Sequence, residues 1–265
     1  MVERYGRGKG KRKILGSHQK CWIWGRNLVL ETLRAGKWPI LDLHLADRLA
    51  PELIDEAQQM AAEQTVAVEV EPAEVLTRRC RSAEHQGFLA RMSPFPYDKA
   101  GRVLADQSPS PLYVILDSIQ DPYNFGAILR SAEVMGVDAV IVAAAGQVEV
   151  TSLVARSSAG AVNYVRIVKT DDLLRFVQTL KQGDIAVIAA AQQSTTQLSD
   201  CDLRRPTALM IGNEGSGICA ELLQWADEQV SIPQYGRVGS LNAAVAAGIL
   251  LYEARRQRVP KSAND

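Results

Sequence analysis

At 265 residues the chain is long enough for two domains of the usual ~100 to 200 residues. Hydrophobic residues at 47% and charged residues at 23% are ordinary globular usage and exclude a disordered or fibrous protein. The formal net charge is zero, but residues 1–20 carry Arg4, Arg7, Lys9, Lys11, Arg12, Lys13 and Lys20 against Glu3 alone, so a tail of +6 precedes a remainder of −6.

A basic arm on a slightly acidic body suits a polyanionic partner, because phosphate contacts release counterions. A merely solvated terminus fits the same residues. The tail is short, glycine-broken and without an apolar run, which argues against a signal or transit peptide. No stretch approaches the ~20 uninterrupted apolar residues of a membrane span. Cys21, Cys80, Cys201 and Cys219 form no C-x-x-C pair, and the histidines are His18, His44 and His85. Neither a zinc site, a disulfide framework nor a histidine-rich metal site is expected, and the protein reads as reduced and cytoplasmic.

In chain order, a basic flexible tail over 1–20 is followed by a small α/β unit over 21–92. Leu28, Val29 and Leu33 predict a helix over Asn27–Ala35, and a short strand follows at Leu41–Leu45. A proline-opened helix at Pro51–Glu63 and a strand at Ala67–Val70 come next. Residues 93–111 gain Pro94, Pro96, Pro109 and Pro111 and lose periodicity, which predicts a linker. From 112 to 265 strands and helices alternate. Strands are predicted at Tyr113–Leu116, Ala139–Val142, Val165–Val168, Ile185–Ala189, Ala208–Ile211 and Gln229–Ile232. Helices are predicted through Ile128–Met135, near Thr151–Ala159, at Asp171–Leu180 and Ala220–Ala226, and from Asn242 to about Arg256. This alternation predicts a parallel sheet covered on both faces.

In such sheets ligands bind where strands end and loops turn toward helices. Three of these loops are unusual. The first runs Leu116-Asp-Ser-Ile-Gln-Asp-Pro-Tyr-Asn-Phe-Gly-Ala-Ile-Leu-Arg-Ser-Ala132. Asn124 and Arg130 are six residues apart, so they approach one cleft only if Asn124 lies in the loop before the helix. The plainer reading is that Asp121 or Asn124 caps the helix and Arg130 is a surface charge. The second, Leu209-Met-Ile-Gly-Asn-Glu-Gly-Ser-Gly-Ile218, spaces its glycines as G-x-x-G-x-G, neither the dinucleotide fingerprint nor a phosphate-binding loop. It is a tight turn with one acid in it. The third breaks a strand at Pro233 and delivers Ser240 and Asn242 to a helix rich in small residues, Ala243, Ala244, Ala246, Ala247 and Gly248.

Together the three segments resemble the SpoU (TrmH) branch of the SPOUT methyltransferases. N-x-G-x-x-x-R is matched by Asn124 to Arg130, G-N-E-G-x-G by Gly212 to Gly217, and S-I-P…S-L-N by Ser231 to Asn242. The similarity covers residues 112–258. Residues 20–92, through Ile23-Trp-Gly-Arg-Asn-Leu-Val-Leu and His85-Gln-Gly-Phe-Leu-Ala, resemble the small ribosomal-protein-like substrate-binding domain of the bacterial 23S rRNA guanosine 2′-O-methyltransferases.

The resemblance implies an α/β fold whose C-terminal parallel-sheet domain is threaded as a trefoil knot. It implies a homodimer, S-adenosylmethionine as cofactor, and RNA, ribosomal rather than transfer, as substrate. Mapped by motif, the cofactor contacts fall at Gly212, Ile232 and Leu241, and the catalytic group comprises Arg130, Asn124, Glu214, Ser240 and Asn242. Arg130 is assigned to proton removal, yet a guanidinium with a pKa above about 12 is a poor base. It serves either as an activated base or as a phosphate anchor. Family members often carry serines where Ala244 and Gly239 stand here. His85, Trp22 and Trp24 could stack on RNA bases, but core filling is the plainer role. Other readings are a tRNA ribose methyltransferase, a non-catalytic ribosome-assembly protein, and a dehydrogenase, which the missing glycine fingerprint disfavours.

Overall fold

Short apolar strands alternating with amphipathic helices govern the chain, and the computed structural model, which describes residues 22–105 and 108–259, realises them as two units. The first comprises the chain up to Pro96 together with Val150–Arg156; the second comprises Tyr97–Glu149 and the chain from Ser157. The basic tail 1–20 and Cys21 lie outside the described residues.

The first unit runs β1 (Trp22–Trp24), α1 (Arg26–Ala35), β2 (Ile40–Ala46), α2 (Pro51–Glu63), β3 (Ala67–Glu71), α3 (Ala73–Cys80) and β4 (Phe88–Met92). Its sheet is ordered β1-β4-β2-β3, with β4 antiparallel to both β1 and β2, and β3 parallel to β2. Leu28, Val29 and Leu33 are buried as their helical spacing predicts, and α1 stops at Gly36, whose φ of 60° provides the left-handed cap. The three residues of β1 and the two turns of α3 are too short to give a period, so sequence reading passes over them.

Trp24 is buried, and His85 is a turn residue of the core. The His85 Nδ1 accepts from the Gly87 amide at 3.0 Å while Nε2 pairs with the Thr77 hydroxyl at 3.0 Å. Burial lowers the pKa of His85, in keeping with a neutral ring. His44, Glu69 and Glu71 bring ligand atoms within 4.8 Å of one another. The Arg79 guanidinium already stands 2.6 and 3.0 Å from the two ring nitrogens, so the group is an ion-pair cluster with its cation supplied by the chain. Burial alone would raise the Asp42 carboxyl beside it, but hydrogen bonds from Arg91 and His44 outweigh that and hold it below its usual value.

The second unit holds α4 (Ala100–Ala105), β5 (Leu112–Asp117), α5 (Pro122–Val134), β6 (Ala139–Ala143), β7 (Ile167–Thr170) and α7 (Leu173–Gln182); between β6 and β7 the chain forms α6 (Ser152–Ser157), all but the last residue of which belongs to the first unit. It continues with β8 (Ala186–Ala190), β9 (Thr207–Gly212), α8 (Ala220–Leu223), β10 (Glu228–Val230) and α9 (Ala243–Arg258). Within the proline-rich stretch 93–111, α4 buries Val103 in the core, and the Asp98 amide donates to the Ile167 carbonyl at 2.8 Å beside β7. Fewer than two turns of helix among prolines left no period to read.

All six strands are parallel, in the order β10-β8-β9-β5-β6-β7. Tyr113, Ile115, Ile141, Val187 and Met210 pack with Phe176, Val177 and Leu180 of α7. Their neighbours Val114, Val140, Ile188 and Leu209 point to the opposite face and are equally buried. Burial on both faces explains the unbroken apolar strands. The chain moves outward from β5 through β6 to β7, then crosses to β8 on the far side of β9, so the strand order reverses between β5 and β9. That reversal opens a crevice at the carboxyl ends of the two strands.

Helix α9 packs along α5 and against β9. Its small residues Ala243, Ala247 and Ala254 are buried, which allows the close approach. Its last turn is fastened at the amino edge of the sheet, where the Arg258 guanidinium donates to the carbonyls of Leu203 (2.8 Å), Ser110 (2.8 Å) and Arg205 (2.6 Å). Among the described residues no helix is long and apolar enough to cross a membrane.

Candidate active site at the carboxyl edge of the parallel sheet

Helix α5 begins earlier than its apolar spacing suggested. Asp121 is its N-cap, accepting from the Tyr123 amide at 2.8 Å, and Pro122 occupies the first position. Asn124 therefore lies in the first helical turn and not in the preceding loop. Six residues of helix separate it from Arg130, about 9 Å along the axis and roughly two-thirds of a turn around it. Arg130 is exposed and makes no hydrogen bond or ion pair among the described residues. It shares an exposed stripe with Tyr123 and Val134, 61% and 68% accessible, which lie two turns before it and one turn after it.

The turn after β9 is closed by a backbone pair, Asn213 N–H to the Gly217 carbonyl at 3.1 Å and Gly217 N–H to the Asn213 carbonyl at 2.8 Å. Gly212 is required there, because a Cβ would fall inside the Gly217 backbone. Glu214 stands at the exposed tip. The third segment leaves β10 at Ser231 and Ile232 and returns at Asn242, the N-cap of α9, whose Oδ1 accepts from Ala244 N–H (2.9 Å) and Val245 N–H (3.3 Å).

The three loops meet in a directional relay. Asn242 Nδ2 donates to Asn124 Oδ1 at 2.9 Å, and Asn124 Nδ2 donates to the Glu214 carboxylate. A carboxylate only accepts, so Asn124 must turn its NH2 to Glu214 and its oxygen to Asn242. Asn242 in turn must offer NH2 to Asn124 and keep its oxygen for the helix amides. Every amide orientation follows from its partner. The second Glu214 oxygen makes no hydrogen bond among the described residues.

Beside the relay lies a cleft of about 490 Å³, within the ~300–1,000 Å³ usual for small-molecule sites. Gly212, Ile232 and Leu241 all line it, with Ile211, Ile218 and Leu223 as apolar wall and Glu214 and Ser240 as polar rim. Backbone groups of Ile232 and Leu241 have no hydrogen-bond partner among the described residues. Free amides and carbonyls beside apolar walls suit the edge and faces of a purine, and the bare Gly212 backbone gives close approach. The chemistry of this cleft fits S-adenosylmethionine.

The structure thus joins Asn124, Glu214 and Asn242 by direct contact, places Ser240 on the same cleft, and leaves Arg130 outside it. Sequence reading missed Asp117 and Asn213. Asp117 is 8% exposed and accepts from the Cys219 amide at 2.7 Å and the Ser118 hydroxyl at 2.9 Å. The signal available for Asn213 was the N-x-G pattern of an Asx turn inside the glycine motif.

Residues 111–252 match the family model described as the SpoU rRNA Methylase family, and residues 22–98 match the model for RNA 2′-O ribose methyltransferase substrate binding. An uncharacterized tRNA/rRNA methyltransferase of Mycobacterium avium is 36% identical over 89% of this chain and 77% of its own length. Among solved structures, the AdoMet-bound rRNA methyltransferase from Sinorhizobium meliloti is similar with a TM-score of 0.79 and 25% identity, covering 94% of this chain and 92% of that one. The SpoU methyltransferase AviRb from Streptomyces viridochromogenes, in complex with AdoMet, gives a TM-score of 0.76 and 26% identity, covering 95% and 94%.

Proposed function

The chain belongs to the SpoU family of S-adenosylmethionine-dependent RNA methyltransferases, and from that premise we propose that it methylates a ribose 2′-hydroxyl of ribosomal RNA, a guanosine of the large subunit, in the cytoplasm. The observation that carries the reading is the Asn242–Asn124–Glu214 relay at the rim of the cleft. Bound there, S-adenosylmethionine supplies a methyl on a sulfonium, and the chain has to align a ribose oxygen with it and handle one proton.

Gly212, Ile232 and Leu241 hold the cofactor through backbone groups and apolar contact. The unpaired Glu214 oxygen accepts from a ligand hydroxyl, with Asn124 fixing the carboxylate and Ser240 adding a hydroxyl to the rim. Arg130 acts as phosphate anchor, since its exposed planar fork of donors matches phosphate geometry. Its distance from the relay is explained by a homodimer. The stripe Tyr123, Arg130 and Val134 on α5 and the stripe Val245, Ile249 and Tyr252 on α9 are both exposed and apolar apart from the guanidinium. A second copy seated on them buries the apolar groups and brings Arg130 to the partner's cleft.

The purified protein is incubated with labelled S-adenosylmethionine and undermethylated total RNA, beside Arg130→Ala, and 2′-O-methylated positions are mapped in each RNA class. Arginine-dependent label at one large-subunit position supports the reading. Label in transfer RNA alone moves the substrate to tRNA, and RNA binding without label would sink the enzymatic reading in favour of an assembly factor.

A further inference from the structure

The turn that carries Glu214 is tied to the exit of β5 by contacts that methyl transfer does not itself require. The Asn213 side chain uses both ends. Its Oδ1 accepts from the Gly215 amide at 2.7 Å, which shapes the turn around Glu214. Its Nδ2 donates to the Ser118 carbonyl at 3.0 Å, a link between residues 95 apart in sequence. Ser118 is held at a φ of 61°, a left-handed conformation unusual for a residue with a side chain, and its hydroxyl is taken by Asp117.

A second tie runs parallel to the first, from the Cys219 amide to the buried Asp117 carboxylate. The β5 exit is thus fastened to the turn at its first residue, Asn213, and just past its last, at Cys219. From the same exit the chain reaches the Asp121 cap and then Asn124. Both members of the Asn124–Glu214 contact therefore hang from one junction, and the Asn213 amide is the part of that junction nearest Glu214 in sequence.

We propose that Asn213 is a positioning residue, which sets the Glu214 carboxylate against Asn124 by bonding the β9 turn to the Ser118 carbonyl. The inference rests on methyl transfer at this site. Its physical basis is that a displacement of about 1 Å in a reacting group can cost on the order of 100-fold in rate, whereas the turn, which lines the cleft with Asn213 itself, keeps its own backbone pair between residues 213 and 217 when the side-chain bond is lost.

Two variants isolate the donor. Asn213→Asp keeps an acceptor for the Gly215 amide and sets an oxygen against the Ser118 carbonyl; Asn213→Ser keeps a hydroxyl acceptor and is too short to reach across. Each is measured for S-adenosylmethionine affinity by calorimetry and for kcat with both substrates saturating. The expected result is a dissociation constant within about threefold of the parent and kcat lowered about 30-fold or more in whichever variants fold, on the scale of the misplacement above. Unchanged kcat, a rate loss matched by loss of cofactor affinity, or failure of both variants to fold would overturn the positioning role. A parent protein that transfers no methyl to any RNA defeats the functional reading first, and the positioning role with it.

Discussion

Asn242→Asp separates the structural and chemical duties of one residue. A carboxylate at this N-cap still accepts from the Ala244 and Val245 amides, and a negative charge at a helix N-terminus contributes about 0.3–1 kcal/mol of its own. Stability is expected to hold or rise slightly. The relay cannot survive, because the new carboxylate has no hydrogen to give Asn124. If Asn124 keeps its orientation, two oxygens face each other at the 2.9 Å now spanned by a hydrogen bond. If it flips, its oxygen meets the Glu214 carboxylate instead. Either way one contact becomes acceptor against acceptor, at a cost of about 1–3 kcal/mol, and at 1.36 kcal/mol per tenfold kcat/KM falls about 5- to 150-fold. Thermal melting by circular dichroism and methyl transfer to undermethylated RNA are measured on the same preparation. A variant that melts with the parent and transfers methyl within twofold of it would refute the relay as a working part of the site.

Gly212→Ala should abolish S-adenosylmethionine binding by calorimetry, since the added methyl meets the Gly217 backbone rather than a movable side chain; unchanged affinity contradicts that. Arg258→Ala removes a donor from four backbone carbonyls, of which those of Leu203 and Ser110 have no other among the described residues, which should cost about 2–3 kcal/mol and lower Tm by several degrees, at about 2–4 °C per kcal/mol. Asp227 feels burial, which raises its carboxyl, but bonds from Lys181 and the Val187 amide prevail and lower it, and Asp42 behaves likewise. Both pKa values are lower folded than unfolded, so their stabilisation is present above the unfolded carboxylate range and is lost as pH falls through the folded values. Urea midpoints should therefore drop on acidification below about pH 4, and less so in Asp227→Asn. Burial, with the neighbouring Glu228, pushes the Cys201 thiol up to about 12, so native protein at pH 8 should resist alkylation there, as peptide mass spectrometry can check.

Much of the fold was legible because it is written in local periods. The strands at Ala139–Ala143 and Thr207–Gly212, the helix at Leu173–Gln182 and the parallel class itself follow from apolar runs separated by helical spacing. The motif residues were legible as polar and glycine clusters just after strands, where a parallel sheet collects its ligands. What stayed hidden was short or interrupted, as with α4 among its prolines and β1 with three residues.

The sequence by itself determined which residues could do chemistry; the tertiary structure decided which of them meet. Asn124, Glu214 and Asn242 lie 90 and 118 residues from their partners along the chain, and no local pattern encodes a contact at that range. It arises because β5, β9 and the loop before α9 all end on one edge of a sheet whose order reverses between β5 and β9. Arg130 stands apart for a local reason. Its spacing from Asn124 suited a loop, but the Asp121 cap starts the helix one turn earlier, and from there helical geometry carries the guanidinium to another face.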